Sequence, residues 1–163
     1  MKKRVQIKKG QILQRKGEFN TKIYVVKSGL LRSYAIDQKG KEHVFMFALE
    51  GWVLGDNVSP SEPGELFIDA LEDTEAIVFE KAEDEPNVDK LINRLKVLQK
   101  RIIMLMSTSA IERYDYFMNT YPDIAQRIPQ RMIASYLGIT PEALSKLKAK
   151  RKKNRSGSIH GKS

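Results

Sequence analysis

Lys146, Lys148, Lys150, Arg151, Lys152 and Lys153 place six cations in eight consecutive positions. Such groups do one kind of chemistry well. They hold phosphate oxygens, and they release counterions when they do so. The charge around them is uneven. Up to Gln126 the chain carries 19 Lys/Arg and 19 Asp/Glu; from Arg127 onward it carries 10 Lys/Arg and Glu142 alone. The whole formal charge of +9 therefore lies in the last segment. That asymmetry points to an anionic partner, nucleic acid or membrane, with a solvated basic tail as the plainer reading.

The rest of the chain is poor in reactive groups. It has no cysteine, so disulfides, thiolate metal sites and thiol nucleophiles are excluded. His43 and His160 are its only histidines. A metal centre needs several such ligands converging, so His43 reads as a strand-surface residue and neither metal nor cofactor is expected. No GxSxG or P-loop motif is present. Arg32 reads as one half of a structural ion pair, with a ligand role as the alternative. Phe47 and Trp52 read as core, with a small pocket as the alternative. Met104, Met106 and Met118 read as packing.

Three kinds of element must position these residues. Up to about residue 81 the sequence is β-branched and aromatic, broken by Gly10, Gly17, Gly29, Gly40, Gly51 and Gly55. Short strands with glycine turns predict an all-β sandwich or roll. A hairpin tip is expected near Gly40, and a loop over 56–65, "DNVSPSEPGE". From Pro86 to Asn119 the period becomes helical. Leu91, Leu95, Leu98, Ile102 and Leu105 form a heptad seam, predicting one long helix that joins two copies of the chain. A second stripe, Ile92, Ile103, Met106, Ala110, Tyr114 and Phe117, gives that helix another apolar face. "YPDIAQRIP" ends it. Pro129 suits the start of a further helix that turns Ile133, Ala134 and Leu137 inward and stops at Gly138. Thr140 then caps a last helix beginning Pro141-Glu142. Two short helices joined by a glycine-containing turn predict a helix-turn-helix, against an ordinary αα-corner.

"RIPQRMIASYLGITPEALSKLKAKR", preceded by "AIERYDYFMNTYPDIAQ", resembles the DNA-binding end of a Crp/Fnr-family transcription regulator. The upstream "GQILQRKGE…KIYVVKSGLLRSYAID…GKEHVFMF…GWVLGD" is similar to that family's cyclic-nucleotide-binding-like β-roll. The resemblance runs through nearly the whole chain in the family's order. It implies an α+β protein: a double-stranded β-helix or jelly-roll sensor over 1–85, a long dimerisation helix over 86–119 and a helix-turn-helix over 120–153. A flexible basic tail over 154–163 is expected in place of a full wing. The resemblance also implies a homodimer on a pseudo-palindromic DNA site, with RNA polymerase and an unknown small-molecule effector as further partners. Thr140, Pro141, Glu142, Ser145, Lys146, Lys148, Lys150, Arg151 and Lys152 are the expected DNA-binding residues. Glu142 could accept from cytosine N4, and Lys146 could donate to guanine O6/N7. The alternatives are a dipole partner for Glu142 and a phosphate contact for Lys146.

The ligand pocket departs from the family. Arg32, Phe47, Trp52, Gly55 and Asp56 are the candidate lining, Gly55-Asp56 being a shortened echo of a Gly-Glu ribose pair. The arginine that would hold a cyclic phosphate is replaced by Gly64. From Glu42 to Glu80 there are ten acids and no Lys or Arg. Cyclic-nucleotide binding is therefore not expected. The N-terminal "MKKRVQIKKG" lacks an apolar signal core, and "VFMFAL" and "IIMLM" are too short to span a bilayer. A cytoplasmic, non-enzymatic regulator is expected. The alternative is a cupin-like small-molecule-binding protein or enzyme on the same roll.

Overall fold

The computed structural model describes residues 2–81 and 88–157, with eight strands followed by five helices. The chain divides into two compact units, Met1–Pro86 and Asn87–Ser163. The strands are β1 (Lys2–Ile7), β2 (Ile12–Gln14), β3 (Lys22–Ser28), β4 (Leu31–Ile36), β5 (Glu42–Ala48), β6 (Val53–Gly55), β7 (Phe67–Ala70) and β8 (Thr74–Glu80). They form two antiparallel four-stranded sheets, β1-β8-β3-β6 and β2-β7-β4-β5.

Period-2 alternation sends one side of each strand between the sheets. In the second sheet, Ala48, Leu31 and Ala70 form one inward row. Met46, Ser33, Ile68 and Gln14 form the next. Tyr24, Val26, Leu54 and Ala76 meet them from the first sheet. Each large aliphatic buried there stabilises the roll by about 1.5–3 kcal/mol. The β4–β5 tip is where the sequence puts it. Asp37 Oδ1 accepts the N–H groups of Lys39 and Lys41 at 2.8 and 3.0 Å, and Gly40 takes φ +77°. Gly29 is required as glycine. Its φ is +93°, and a Cβ there would lie 2.4 Å from Thr74 Oγ1 and 2.5 Å from the Asp73 carbonyl.

The helices are α1 (Val88–Ser107), α2 (Ala110–Thr120), α3 (Pro122–Arg127), α4 (Gln130–Tyr136) and α5 (Pro141–Gly157). The single helix expected over 86–119 is in fact two. Ser107 and Thr108 turn their hydroxyls back onto the carbonyls of Ile103 and Met104, both at 2.6 Å. Ser109 then opens α2 with a capping box. Glu112 donates its N–H to Ser109 Oγ and accepts the Ser109 N–H in return. The last helix also differs from expectation. It runs through 154–157, the first part of the expected tail, because lysine and arginine sustain a helix and glycine does not interrupt until 157. Residues 158–163 of that tail, and the expected roll limit at 85, lie outside the described residues. No helix among the described residues is long and apolar enough to cross a membrane.

Candidate nucleic-acid interface

The α4–α5 turn is fixed by local chemistry. Pro129 directly precedes α4, and its carbonyl accepts the N–H of Met132 at 2.9 Å. Met132, Ile133, Ala134 and Leu137 are buried. At the far end Gly138 takes φ +67°. Its N–H donates to the Ser135 carbonyl, and the Ile139 N–H reaches back to the Ala134 carbonyl at 3.0 Å. This pair of bonds closes a Schellman motif and satisfies carbonyls the helix leaves open. Two arginines satisfy the neighbours: Arg113 Nη1 donates to the Leu137 carbonyl at 2.9 Å and Arg101 Nη2 to the Tyr136 carbonyl at 3.3 Å. Arg101 also stacks over the Tyr136 ring at 4.1 Å, and burial pulls its guanidinium below the ordinary arginine value.

Helix α5 begins as the sequence predicts. Thr140 Oγ1 accepts the N–H of Ala143 at 3.1 Å, and Pro141 supplies the first turn without losing a bond. Leu144 is buried and Leu147 half-buried, which fixes the helix's rotation. Pro141, Glu142, Ser145, Lys146, Lys148, Lys150 and Lys152 have exposed side chains. Among these cations, Lys148 Nζ donates to Gln130 Oε1 at 3.0 Å, and Arg151 pairs with Asp115.

The positions of the expected heptad seam differ in exposure along α1. Leu105 lies against the α4–α5 turn, its Cδ2 3.6 Å from where a Gly138 Cβ would sit, and Leu98 is half-buried. Leu95 and Ile102 are exposed as expected, but beside Ile92, Gln99 and Met106. One exposed row is thus 92, 95, 99, 102 and 106, with Val97 and Ile103 exposed beside it. The side chain of Leu91 lies outside the described residues.

Of the five candidate pocket residues in the roll, Arg32 is on β4, Phe47 on β5 and Gly55 at the end of β6, with Trp52 just before β6 and Asp56 just after it. Arg32 and Phe47 are partners in a row next to Leu31 and Ala48, hence on the face turned away from the inter-sheet core. Arg32 is buried and grips Asp69 with Nε and Nη2 at 2.9 and 3.0 Å and Glu42 with Nη1 at 2.6 Å. Burial alone would lower its pKa; the bonds to Asp69 and Glu42 override that and raise it. Trp52 packs at the margin of the inter-sheet core, and Gly55 pairs with Ile23. His43 is an exposed strand residue bonded to Asp37 at 2.8 Å. Among the described residues no cluster of three or more His, Asp or Glu could hold a metal.

Asp56 has a role that sequence reading missed. It is buried, and its Oδ2 accepts three N–H bonds: from Gln14 Nε2 at 2.9 Å, Glu65 N at 2.7 Å and Leu66 N at 2.9 Å. Two successive backbone N–H groups aimed at one oxygen form an anion-holding arrangement, and here a side chain of the chain itself fills it. Lys81 Nζ fastens the same loop, donating to the carbonyls of Asp56 and Val58 at 2.8 and 2.7 Å. At Gly64 a Cβ would lie 2.8 Å from Gln14 Nε2 and 2.9 Å from Thr21 Cγ2. An arginine there would have to displace both side chains.

Comparison with known proteins agrees with this architecture. The cyclic nucleotide-binding domain family model matches residues 4–84. The fumarate and nitrate reduction regulatory protein of Yersinia pestis is 30% identical over 178 aligned positions, covering 96% of this chain and 71% of that protein. The protein of the same name from Escherichia coli K12 matches equally well, at 30% identity and the same coverage. Among solved structures, FixK2 from Bradyrhizobium japonicum superposes with a TM-score of 0.78 at 21% identity, covering 94% of this chain and 86% of that one. A CRP/FNR-family transcriptional regulator from Thermus thermophilus gives 0.73 at 17% identity, covering 93% and 87%. With a β-roll followed by a helical unit, and a relative 30% identical over 96% of this chain and 71% of its own length, the chain belongs to the Crp/Fnr family of transcription regulators.

Proposed function

We propose that this regulator is a homodimer that binds DNA sequence-specifically through α4 and α5 as a helix-turn-helix. In this reading, 1–85 is the sensor roll, α1 and α2 carry the dimer contact, and α3 to α5 form the DNA-binding unit. Helix α5 enters the major groove and turns Glu142, Ser145 and Lys146 to base edges, while Lys150 and Lys152 approach phosphates. The observation that carries it is the capped start of α5, with 142, 145 and 146 exposed on one face beyond a turn closed by Gly138. The dimer axis requires a pseudo-palindrome with half-sites roughly 34 Å apart. RNA polymerase is the further partner through which such a protein acts. The effector is not a cyclic nucleotide, because Asp56 fills the anion-holding arrangement and Gly64 stands where an arginine is needed.

Selection of bound duplexes from a random pool tests this reading, followed by anisotropy titrations over a range of salt. Lys146→Ala should cost about 1–3 kcal/mol on the selected site and relax preference at one position per half-site. Equal weakening on random DNA would reduce Lys146 to a phosphate contact. No selected sequence at all would remove the reading.

A further inference from the structure

Arg151 stands in the middle of the basic run, yet the fold does not offer it to a ligand as it offers its neighbours. It is seven residues beyond Leu144. At about 100° per residue that is nearly two whole turns, so the two side chains leave the helix within about 20° of each other. Leu144 is buried. Lys146 leaves about 140° away from Arg151, and Glu142 almost opposite. On paper the run is uniform; on the helix it splits, and Arg151 falls on the inward side.

There it meets α2. Its Nη1 lies 2.7 Å from Asp115 Oδ1, with both side chains about one-third exposed. The contact is an ion pair by distance, while Asp115 Oδ1 accepts no aligned hydrogen bond. The guanidinium also lies over the ring of Tyr114, 5.8 Å from its centroid, and Tyr114 is buried. The adjoining residue of α2, Arg113, holds the last carbonyl before Gly138. Three consecutive residues of α2 therefore touch both helices of the candidate reading head: Arg113 at the end of α4, Tyr114 and Asp115 along α5. The start of α5 is fixed by the turn and the Thr140 cap. Arg151 fixes it again about 15 Å further along. Two fixed points on a rigid helix define its inclination.

We propose that Arg151 is a positioning residue: it braces α5 against Tyr114 and Asp115 of α2 and so sets how the exposed face of α5 meets base edges, instead of neutralising a phosphate. This rests on the DNA-binding reading above. The two roles predict different behaviour. A phosphate contact adds equally to every sequence and to the salt dependence. A brace adds to the preference for the right sequence and leaves the salt dependence alone.

The test uses the full chain, a selected duplex and a random duplex of equal length, titrated by anisotropy across salt. Arg151→Met keeps the aliphatic packing on Tyr114 and removes the charge. Asp115→Asn removes the partner. The double variant Asp115→Arg with Arg151→Asp restores the pair in reverse, and Lys150→Ala serves as the phosphate reference. The expected result is a ratio of selected to random affinity that falls about 3–10-fold in each single variant, the lower part of the range for coupling between residues in contact. The salt slope of Arg151→Met stays that of the wild type, and the reversed pair recovers the ratio. The proposal is overturned if Arg151→Met weakens both duplexes equally and lowers the slope by about one unit per protomer, as Lys150→Ala should. It is equally overturned if Asp115→Asn leaves the ratio unchanged. If the wild type shows no preference for any duplex, the parent reading fails, an outcome visible before any variant is made.

Discussion

The proposed dimer contact should be breakable without touching the fold, and the exposed row on α1 says where. Leu95 and Ile102 keep 56% of their surface exposed in a single copy, Ile92 43% and Met106 83%. Their spacing of three and four residues, through Gln99, is that of a coiled-coil seam. Full burial of a leucine or isoleucine stabilises by about 1.5–3 kcal/mol, so covering the exposed half stabilises by about 1 kcal/mol each. Replacing Leu95 and Ile102 by glutamate in both copies removes four such terms, about 4 kcal/mol, before any repulsion among the new carboxylates. At 1.4 kcal/mol per decade, the dimer should weaken by about a thousandfold or more. Sedimentation at about 20 µM, a concentration that populates a micromolar dimer, should show a dimer for the wild type and a monomer for the variant, with unchanged helical circular dichroism. Leu98→Glu and Leu105→Glu should behave differently. Leu98 is half-buried and Leu105 packs at the α4–α5 turn, so these changes should unfold the helical unit. A monomeric wild type would refute the seam. So would a Leu95→Glu/Ile102→Glu variant that stays dimeric while Leu98→Glu dissociates in folded form; that outcome would restore the 91, 95, 98, 102, 105 register.

Asp56→Ala should destabilise the roll by about 2–4 kcal/mol in urea unfolding, since it strips the acceptor from two backbone N–H groups and the Gln14 amide; a loss below about 0.5 kcal/mol would contradict the role assigned to it. Titration calorimetry of the wild type with cyclic AMP and cyclic GMP should give no binding, and a micromolar dissociation constant for either would overturn the account of the pocket. Ser109→Ala should cost the helical unit about 0.5–2 kcal/mol by opening the capping box at the start of α2. Glu112, the other half of that box, is held below the ordinary carboxyl value of 4.5 by bonds with the Ser109 side chain and backbone. A depressed folded-state pKa means its contribution is complete above pH 4.5 and lost as pH falls through the lower folded value. Glu112→Gln should therefore flatten the acid limb of the melting profile; an unchanged limb would show that other carboxylates set it.

Much of this was legible from residue types alone. Strand β3 and the start of β8 alternate in burial, and Gly29 and Gly40 fall at turns that demand positive φ. Thr140-Pro141-Glu142 announces the start of α5. What escaped the sequence was whatever depends on partners far along the chain or on helical phase. The break in the long helix was written in Ser107, Thr108 and Ser109. The apolar stripe continuing through Met104, Met106 and Ala110 concealed it, because hydroxyls end a helix only when they fold back onto its carbonyls. Residue types alone did not separate the positions of the expected seam: 91, 95, 98, 102 and 105 are all leucine or isoleucine, whereas one exposed row of α1 contains Gln99. Leu105 is taken by the turn at Gly138, a contact between residues 33 apart in sequence that no periodicity reveals. The Asp56–Gln14 bond spans 42 residues and has no local signature. Arg151 differs from its basic neighbours only in angle.

The Asp56 carboxylate is, in effect, a ligand that cannot diffuse away. Joined to its N–H partners even by a flexible tether, it acts at an effective concentration of about millimolar, and a rigid mount raises that by many orders of magnitude. A free phosphate ester in the cell competes from micromolar to low millimolar concentration, without the advantage of being tied in place. In the folded roll the three N–H groups at this loop are therefore met by the chain's own carboxylate, whatever free anions are present.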